Sequence, residues 1–272
     1  MSQNVLVVHG GGPTAVINAS LYGVIEEAKR NPEVGKVYGA IGGTGAIFSE
    51  TFIDLTSFDD EKLKLLLHTP ASAIGSSRYP LYEKDYEKMV DIFKKHDIKY
   101  VLLNGGNGTM DACGHIYEVC KDQDIKVVGI PKTIDNDIAM TDHSPGYGSA
   151  ARFIAASTQE VGEDVKSLPI HVCIMEAMGR NAGWITAASA LARRKQGDAP
   201  HLIYLPERNF NEDEFLEDVS RLQKKQGGVV VLVSEGLHDA NGESIVPPIF
   251  KSERAVYYGD VSSHLANLVV KK

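Results

Sequence analysis

Short runs of β-branched and aliphatic residues recur along the chain, separated by longer stretches whose apolar residues fall three and four apart. Buried strands give the first pattern, and helices that lay one face on a sheet give the second. Seven strands are predicted: Asn4–His9, Val37–Ala40, Tyr100–Leu103, Lys126–Ile130, His171–Met175, His201–Leu205 and Val229–Ser234. Helical spacing is clear at Tyr86, Met89, Ile92 and Phe93 and at Phe215, Val219 and Leu222, and a further helix is expected over Ala150–Val165. Strand, loop and helix alternate as in βα units that build a largely parallel sheet. The alternation gives way after Asn136–Asp137 to the loop-forming stretch from Thr141 to Gly148. The expected architecture is α/β, with two stacked Rossmann-like domains of mainly parallel sheet, the first over residues 1–140 and the second over 141–272.

Composition narrows the chemistry. With 28 Lys and Arg against 36 Asp and Glu the formal net charge is -8, which argues against nucleic acid or an anionic membrane as a partner. The longest apolar runs, such as Val229–Val233, fall far short of the ~20 residues that span a bilayer. The run from Met1 to His9 lacks the basic segment and cleavage site of a secretory signal and reads as a first strand. Cys113, Cys120 and Cys173 form no CxxC and cannot all pair, so reduced thiols and a cytoplasmic location are expected. Glycine is the outlier, at 26 of 272 residues against a usual ~7%. In open α/β sheets ligands bind beyond the carboxyl ends of the strands, and there the glycines cluster.

After the first strand comes His9-Gly10-Gly11-Gly12-Pro13-Thr14, and after Tyr100–Leu103 comes Asn104-Gly105-Gly106-Asn107-Gly108-Thr109, with a helix expected from Met110. Glycines between a strand and a helix let the backbone approach a phosphate, while first-turn N–H groups and the helix dipole stabilise its charge. Either loop alone also reads as a tight turn; two in one chain point to a phosphate-bearing ligand. Asn107 and Thr109 offer side-chain donors, whereas Asp111 suits the helix dipole with no ligand. Ile130 is followed by Pro131-Lys132-Thr133-Ile134-Asp135-Asn136-Asp137. In an extended segment residues two apart point the same way, so Asp135 and Asp137 are expected in phase, just after Lys132 and Thr133. Such a pair can divide the work of phosphoryl transfer, one carboxylate taking a hydroxyl proton and the other holding Mg²⁺; the alternative is a solvated acidic turn. Arg180, after Glu176-Ala177-Met178-Gly179, and Arg78, within Ile74–Pro80, each read as a fixed cation for a phosphoryl group or as a surface ion-pair partner. Glu235-Gly236 after the last strand offers an acceptor for a sugar hydroxyl.

Taken together these segments resemble the phosphofructokinase family. GGGPTAVIN at Gly10–Asn18, GSSRYP at Gly75–Pro80, GGNGT at Gly105–Thr109, PKTIDND at Pro131–Asp137, MGRNAGW at Met178–Trp184 and PE at Pro206–Glu207 fall in the family's order over the whole chain. GGNGT alone is shared with lipid and NAD kinases; TIDND followed by MGR argues against those. The resemblance implies a phosphofructokinase-like fold and Mg²⁺-dependent transfer of a phosphoryl group to the 1-hydroxyl of fructose 6-phosphate, in a dimer or tetramer. It makes Asp135 the base, Thr133 the group that positions the sugar, and Asp137, with Asn107, the residues about the metal. Arg180 and Arg78 become the cations that stabilise charge on the transferring group, and Lys132 joins Asp135, Thr133 and Arg180 as a catalytic residue. Met178, Gly179 and Glu235 become sugar-phosphate contacts, and Gly11, Gly106, Asn107, Gly108 and Thr109 line the donor site.

The chain departs from the family pattern at four places. Gly108 leaves open the space that an Asp fills in pyrophosphate users, which makes ATP the expected donor; Lys132, where typical ATP enzymes have Gly, makes pyrophosphate the alternative. Asn107 replaces an Asp near the metal, so that Asp137 and Asp111 would have to compensate. His171 stands where many bacterial ATP enzymes carry an Arg for a neighbouring subunit's sugar phosphate. The chain stops at Lys271–Lys272, before a family segment whose His and Arg residues grip the 6-phosphate. Asn107 and the missing C-terminal segment keep a non-catalytic nucleotide- or sugar-phosphate-binding paralogue as a further alternative.

Overall fold

The computed structural model describes residues 3–251 and 256–272, so Met1 and Ser2 of the N-terminal run lie outside the described residues. Two units emerge from its contacts, one comprising Met1–Thr133, Ile138–Met140 and Ser144–Gly146, the other Ile134–Asp137, Thr141–His143 and Tyr147–Lys272.

The first unit runs β1 (Gln3–His9), α1 (Val16–Arg30), β2 (Val34–Ala40), α2 (Gly45–Phe48), β3 (Phe52–Asp54), α3 (Asp60–Lys64), α4 (Glu83–Lys95), β4 (Ile98–Gly105), α5 (Asn107–Cys120) and β5 (Lys126–Pro131). Its five-stranded sheet has the order β3-β2-β1-β4-β5. β1 pairs in parallel with β2 and β4, and β4 with β5, while β3 runs antiparallel to β2. The continuous apolar run Val5–Val8 marks β1 as a strand covered on both faces. Leu6 and Val8 pack with Met89, Phe93 and Ile116 on one face, and Val5 and Val7 with Leu21 and Ile25 on the other. Register sets His9 opposite Asn104 and Gly105 opposite Pro131, which brings three strand ends level.

The second unit contains α6 (Tyr147–Ser167), β6 (Val172–Ala177), α7 (Trp184–Ala188), β7 (Leu202–Tyr204), α8 (Glu212–Gln226), β8 (Val229–Ser234), β9 (Pro248–Lys251), β10 (Val256–Tyr258) and α9 (Val261–Lys271). β8 is central in a parallel sheet of order β6-β8-β7, and all six of its residues are buried. Val229, Val231 and Val233 face Phe215, Val219 and Leu265, while Val230 and Leu232 face Ile154, Val165 and Ile185. The fully buried Phe215 is the kind of anchor whose truncation to Ala costs about 3–5 kcal/mol. Asn211 opens α8 by accepting hydrogen bonds from the N–H groups of Asp213 and Glu214, satisfying two of the donors that a helix start leaves unpaired.

The chain is thus α/β with mainly parallel sheets, as the sequence pattern predicts. Three strands go beyond the seven expected. β3 has three residues, too few for a period of two to register, and β9 and β10 form a mostly exposed antiparallel pair with no buried face to impose alternation. Two helices begin earlier than expected, α5 at Asn107 rather than Met110 and α6 at Tyr147 rather than Ala150. Asn107, Gly108 and Thr109 therefore belong to the first turn of α5, where N–H groups are available to an anion.

Candidate active site

In the first unit the predicted residues gather at the carboxyl ends of β1, β4 and β5. Gly10 and Gly105 owe their identity to packing: a Cβ at either would overlap Thr109 Oγ1, and at Gly105 it would also meet the Gly10 carbonyl oxygen. The two loops close around the Thr109 side chain. At these two positions the glycines serve packing between the loops rather than access for a phosphate. Gly11, Gly12, Gly106 and Gly108 do leave room, since no heavy atom lies nearer than 3.5 Å to the position of a Cβ at any of them. Gly11, at φ +75°, takes a backbone conformation suited to glycine; its N–H donates to Ser77 O at 3.1 Å and its carbonyl accepts from Ser76 Oγ at 2.7 Å. These bonds tie the exposed Arg78 segment to the first glycine loop.

Lys132 is buried and continues β5, its N–H donating to Gly105 O at 2.9 Å and its ammonium donating to the Gly12 carbonyl. A cation held in this way stabilises an anion placed against the same loop. Burial, and secondarily the Lys132 charge, push the pKa of His9 down to about 4, so its ring is neutral at neutral pH. Thr133 is buried, with its N–H donating to Pro145 O at 3.1 Å. Asp111 faces His115 at 4.0 Å on the exposed side of α5, a surface pairing rather than a part of the loop cluster.

In the second unit, Asp135 and Asp137 lie on either side of Asn136, whose φ is +57°. The segment bends at Ile134–Asp135, so the premise of an extended run with two carboxylates in phase is corrected. Asn tolerates the left-handed region, and Asn136 Nδ2 also donates to the Asp142 carbonyl at 3.3 Å. The Met178–Arg180 loop is locked to the end of β8. Gly179 N–H donates to Glu235 Oε1 at 3.0 Å, and Ser234 Oγ donates to Gly179 O at 2.8 Å while accepting from Gly236 N–H at 3.1 Å. At Gly236 a Cβ would overlap the Arg180 carbonyl, and Gly179 has φ +114°. The Arg180 guanidinium stands over the Tyr258 ring at 5.4 Å, a cation–π contact that fixes it. Arg180, Asn181, Glu235 and Tyr258 help to line a polar cavity of about 320 Å³, at the small end of ligand-sized sites. Met178 is exposed. A larger cavity of about 530 Å³ beside Gln159, Glu163 and Arg194 holds none of the predicted site residues.

His171 is exposed and sits at the amino end of β6, the opposite end from Met178–Arg180, so it does not join them. Sequence reasoning gave no role to Glu207, Ser234 or Tyr258. Glu207 Oε1 accepts the Gly183 N–H at 2.7 Å, just before α7; the Pro206-Glu207 pair was its signal. Ser234 was legible only as the neighbour of Glu235, and Tyr258 gave no local sign. The two expected metal ligands, Asn107 and Asp137, belong to different units, and no cluster of three or more His, Cys, Asp or Glu suited to a metal occurs among the described residues. Carboxylate and amide oxygens are nonetheless the hard donors that Mg²⁺ takes, in ones and twos, with phosphate and water completing its shell.

A family model described as Phosphofructokinase matches residues 4–271. A pyrophosphate–fructose 6-phosphate 1-phosphotransferase of Rhodospirillum rubrum is 42% identical over 272 residues, covering 98% of this chain and 67% of that protein. An ATP-dependent 6-phosphofructokinase of Amycolatopsis methanolica is 30% identical over 247 residues, covering 87% of this chain and 52% of that one. Among solved structures, a pyrophosphate-dependent phosphofructokinase from Nitrosospira multiformis superposes with a TM-score of 0.88 at 35% identity, over 100% of this chain and 66% of the other. The chain spans about two-thirds of the length of its more similar relatives.

Proposed function

The chain belongs to the phosphofructokinase family, and on that premise we propose that it transfers a phosphoryl group from pyrophosphate to the 1-hydroxyl of fructose 6-phosphate. One observation carries the choice of donor over the ATP expected from Gly108: the relative at 42% identity is named for pyrophosphate, and the ATP-named one stands at 30%. The open space at Gly108 is compatible with either donor, whereas the Lys132 ammonium held at the Gly12 carbonyl suits a small, highly charged donor seated against the loop.

Residues 1–140 would form the donor-binding domain and 141–272 the sugar-phosphate domain. Gly11, Gly106, Asn107, Gly108 and Thr109 bind the donor through loop and first-turn N–H groups. Lys132, Arg78 and Arg180 neutralise charge on the group in transit. Thr133 orients the sugar, and Met178, Gly179 and Glu235 contact it. Asp135 takes the proton of the 1-hydroxyl as its oxygen bonds to phosphorus; the bridging P–O bond breaks and inorganic phosphate leaves. Asp137 and Asn107 would hold Mg²⁺, which when bound neutralises charge on the donor phosphates. We place the protein in the cytoplasm as a homo-oligomer; its three cysteines are free, and burial pushes the Cys120 thiol up to about 11. No helix among the described residues is long and apolar enough to cross a membrane.

Phosphorus NMR tests the reading: incubation with fructose 6-phosphate, pyrophosphate and Mg²⁺ is expected to convert the pyrophosphate signal into those of inorganic phosphate and fructose 1,6-bisphosphate. Ligand binding without turnover would replace the reading with the non-catalytic one.

A further inference from the structure

His9 is fully buried, one residue before the first glycine loop. Its Nδ1 lies 2.8 Å from Ser72 Oγ, and Ser72 Oγ donates to the Gly75 carbonyl at 2.7 Å. A hydroxyl has one hydrogen, and Ser72 has committed it to Gly75, so the hydrogen between Ser72 and His9 must come from Nδ1. In a neutral ring the other nitrogen, Nε2, then carries a lone pair and can only accept. Burial and the Lys132 charge keep the ring neutral. Nε2 is itself buried and has no hydrogen-bond partner in the protein.

Asn104 stands opposite His9 in the parallel pairing of β1 and β4, so the two side chains leave the same face of the sheet. It too is fully buried. Its Nδ2 donates to the Ile17 carbonyl in the first turn of α1 at 3.1 Å, which fixes the amide and leaves Oδ1 as a second buried acceptor with no partner in the protein. Thr14, whose carbonyl accepts the Ile17 N–H, brings a third buried oxygen to the start of the same helix, Oγ1, again without a protein partner. Two acceptor-only atoms cannot satisfy each other, and a buried acceptor left unpaired destabilises the fold. A single water donating one hydrogen to Nε2 and one to Oδ1 would satisfy both acceptors.

We propose that His9 is a positioning residue for the Gly10–Gly12 loop, its Nε2 and Asn104 Oδ1 sharing one buried water that ties the ends of β1 and β4 to the start of α1. The Nδ1 donor follows from the Ser72 geometry and the accepting Nε2 from that geometry with a neutral ring, while the functional consequence rests on the reading of this loop as the donor site. A neutral imidazole does this without adding a second cation beside Lys132.

Long-range proton–nitrogen NMR of the labelled protein near neutral pH, with H9Q to assign the signals, reads the assignment directly. The expected spectrum is a neutral ring protonated at Nδ1; an Nε2-protonated ring or an imidazolium overturns the proposal. Calorimetric titration with magnesium pyrophosphate reads the consequence. H9L, which removes both polar atoms, is expected to weaken binding by about tenfold, and H9Q, which offers a donor and an acceptor, to stay within about threefold of the wild type. Equal affinity in all three proteins overturns the positioning role. Should the wild type show the Nδ1 tautomer yet bind no pyrophosphate, the donor reading and the positioning role built on it fall while the hydrogen-bond assignment stands. Should H9L not fold, the tautomer of the wild type still decides.

Discussion

Thr109 shows how much of this protein's chemistry is set by where single atoms fit. Its side chain fills the space that Gly10 and Gly105 leave by having no Cβ, so two loops nearly a hundred residues apart in sequence are held by one hydroxyl-bearing side chain. Gly10→Ala is expected to lower stability by about 1–3 kcal/mol through overpacking. Thr109→Ala in the same chain should recover part of that loss, because Thr109 Oγ1 and Cγ2 are the nearest atoms to the new Cβ. Urea unfolding of the single and double variants measures the coupling, and strictly additive losses would refute the clasp. At the proposed base the prediction concerns rate rather than stability. Asp135→Asn should cut turnover by at least the ~10²–10⁴ assigned to general-base catalysis with pyrophosphate affinity unchanged; near-normal turnover would remove Asp135 from that role. Local sequence made the glycine loops and Asp135 legible as candidates. It could not show that Gly10 answers to Thr109, a contact made only by the fold, nor that Asn136 turns left-handed, since Asn is compatible with both an extended and a turn conformation.

At the level of elements, the strands that carry the site were readable because β1, β4, β5 and β8 are apolar runs closed by Gly, Asn, Pro or Ser, and β6 is an apolar run that ends at Glu176-Ala177. What lies beyond β8 was much less so. There the backbone is organised by side chains acting at a distance, and Glu176 at the end of β6 is the clearest case. Its Oε2 accepts the Ser262 N–H at the start of α9 at 2.8 Å, and α9 packs Val261 and Leu265 into the core. Burial, and to a lesser degree the neighbouring Asp260, hold the Glu176 carboxyl above its usual range, against the opposing Ser262 hydrogen bonds. A carboxyl raised in the fold favours its protonated form, so the stability it lends is present at low pH and declines as pH rises through its folded value. Glu176→Gln keeps an acceptor for Ser262 and removes the titration. The melting temperature of E176Q is therefore expected to gain on the wild type as pH rises from about 5 to about 8, and a gain on acidification instead would contradict this account.

For the whole molecule, acidic composition and phosphate chemistry are reconciled by placement. A chain of net charge -8 still holds a buried Lys132 at one glycine loop and fixes Arg180 over Tyr258 in the other unit, while backbone N–H groups supply the remaining positive ends. The same arrangement predicts sensitivity to acid. His9 titrates at about 4 in the fold against an ordinary 6.5, so the stability due to its neutral form is complete above the higher value and is lost as pH falls toward the lower one. That loss is about 3 kcal/mol, and H9Q should lack it; coincident pH–stability curves for the two proteins would contradict it. The family was legible in the sequence from the order of its motifs. The choice of donor was not, because the open space at Gly108 argues for ATP and the Lys132 side chain for pyrophosphate. A side-by-side measurement of initial rates with fructose 6-phosphate and Mg²⁺ resolves it: the account predicts fructose 1,6-bisphosphate formation with pyrophosphate and none above background with ATP, and turnover with ATP alone would contradict it.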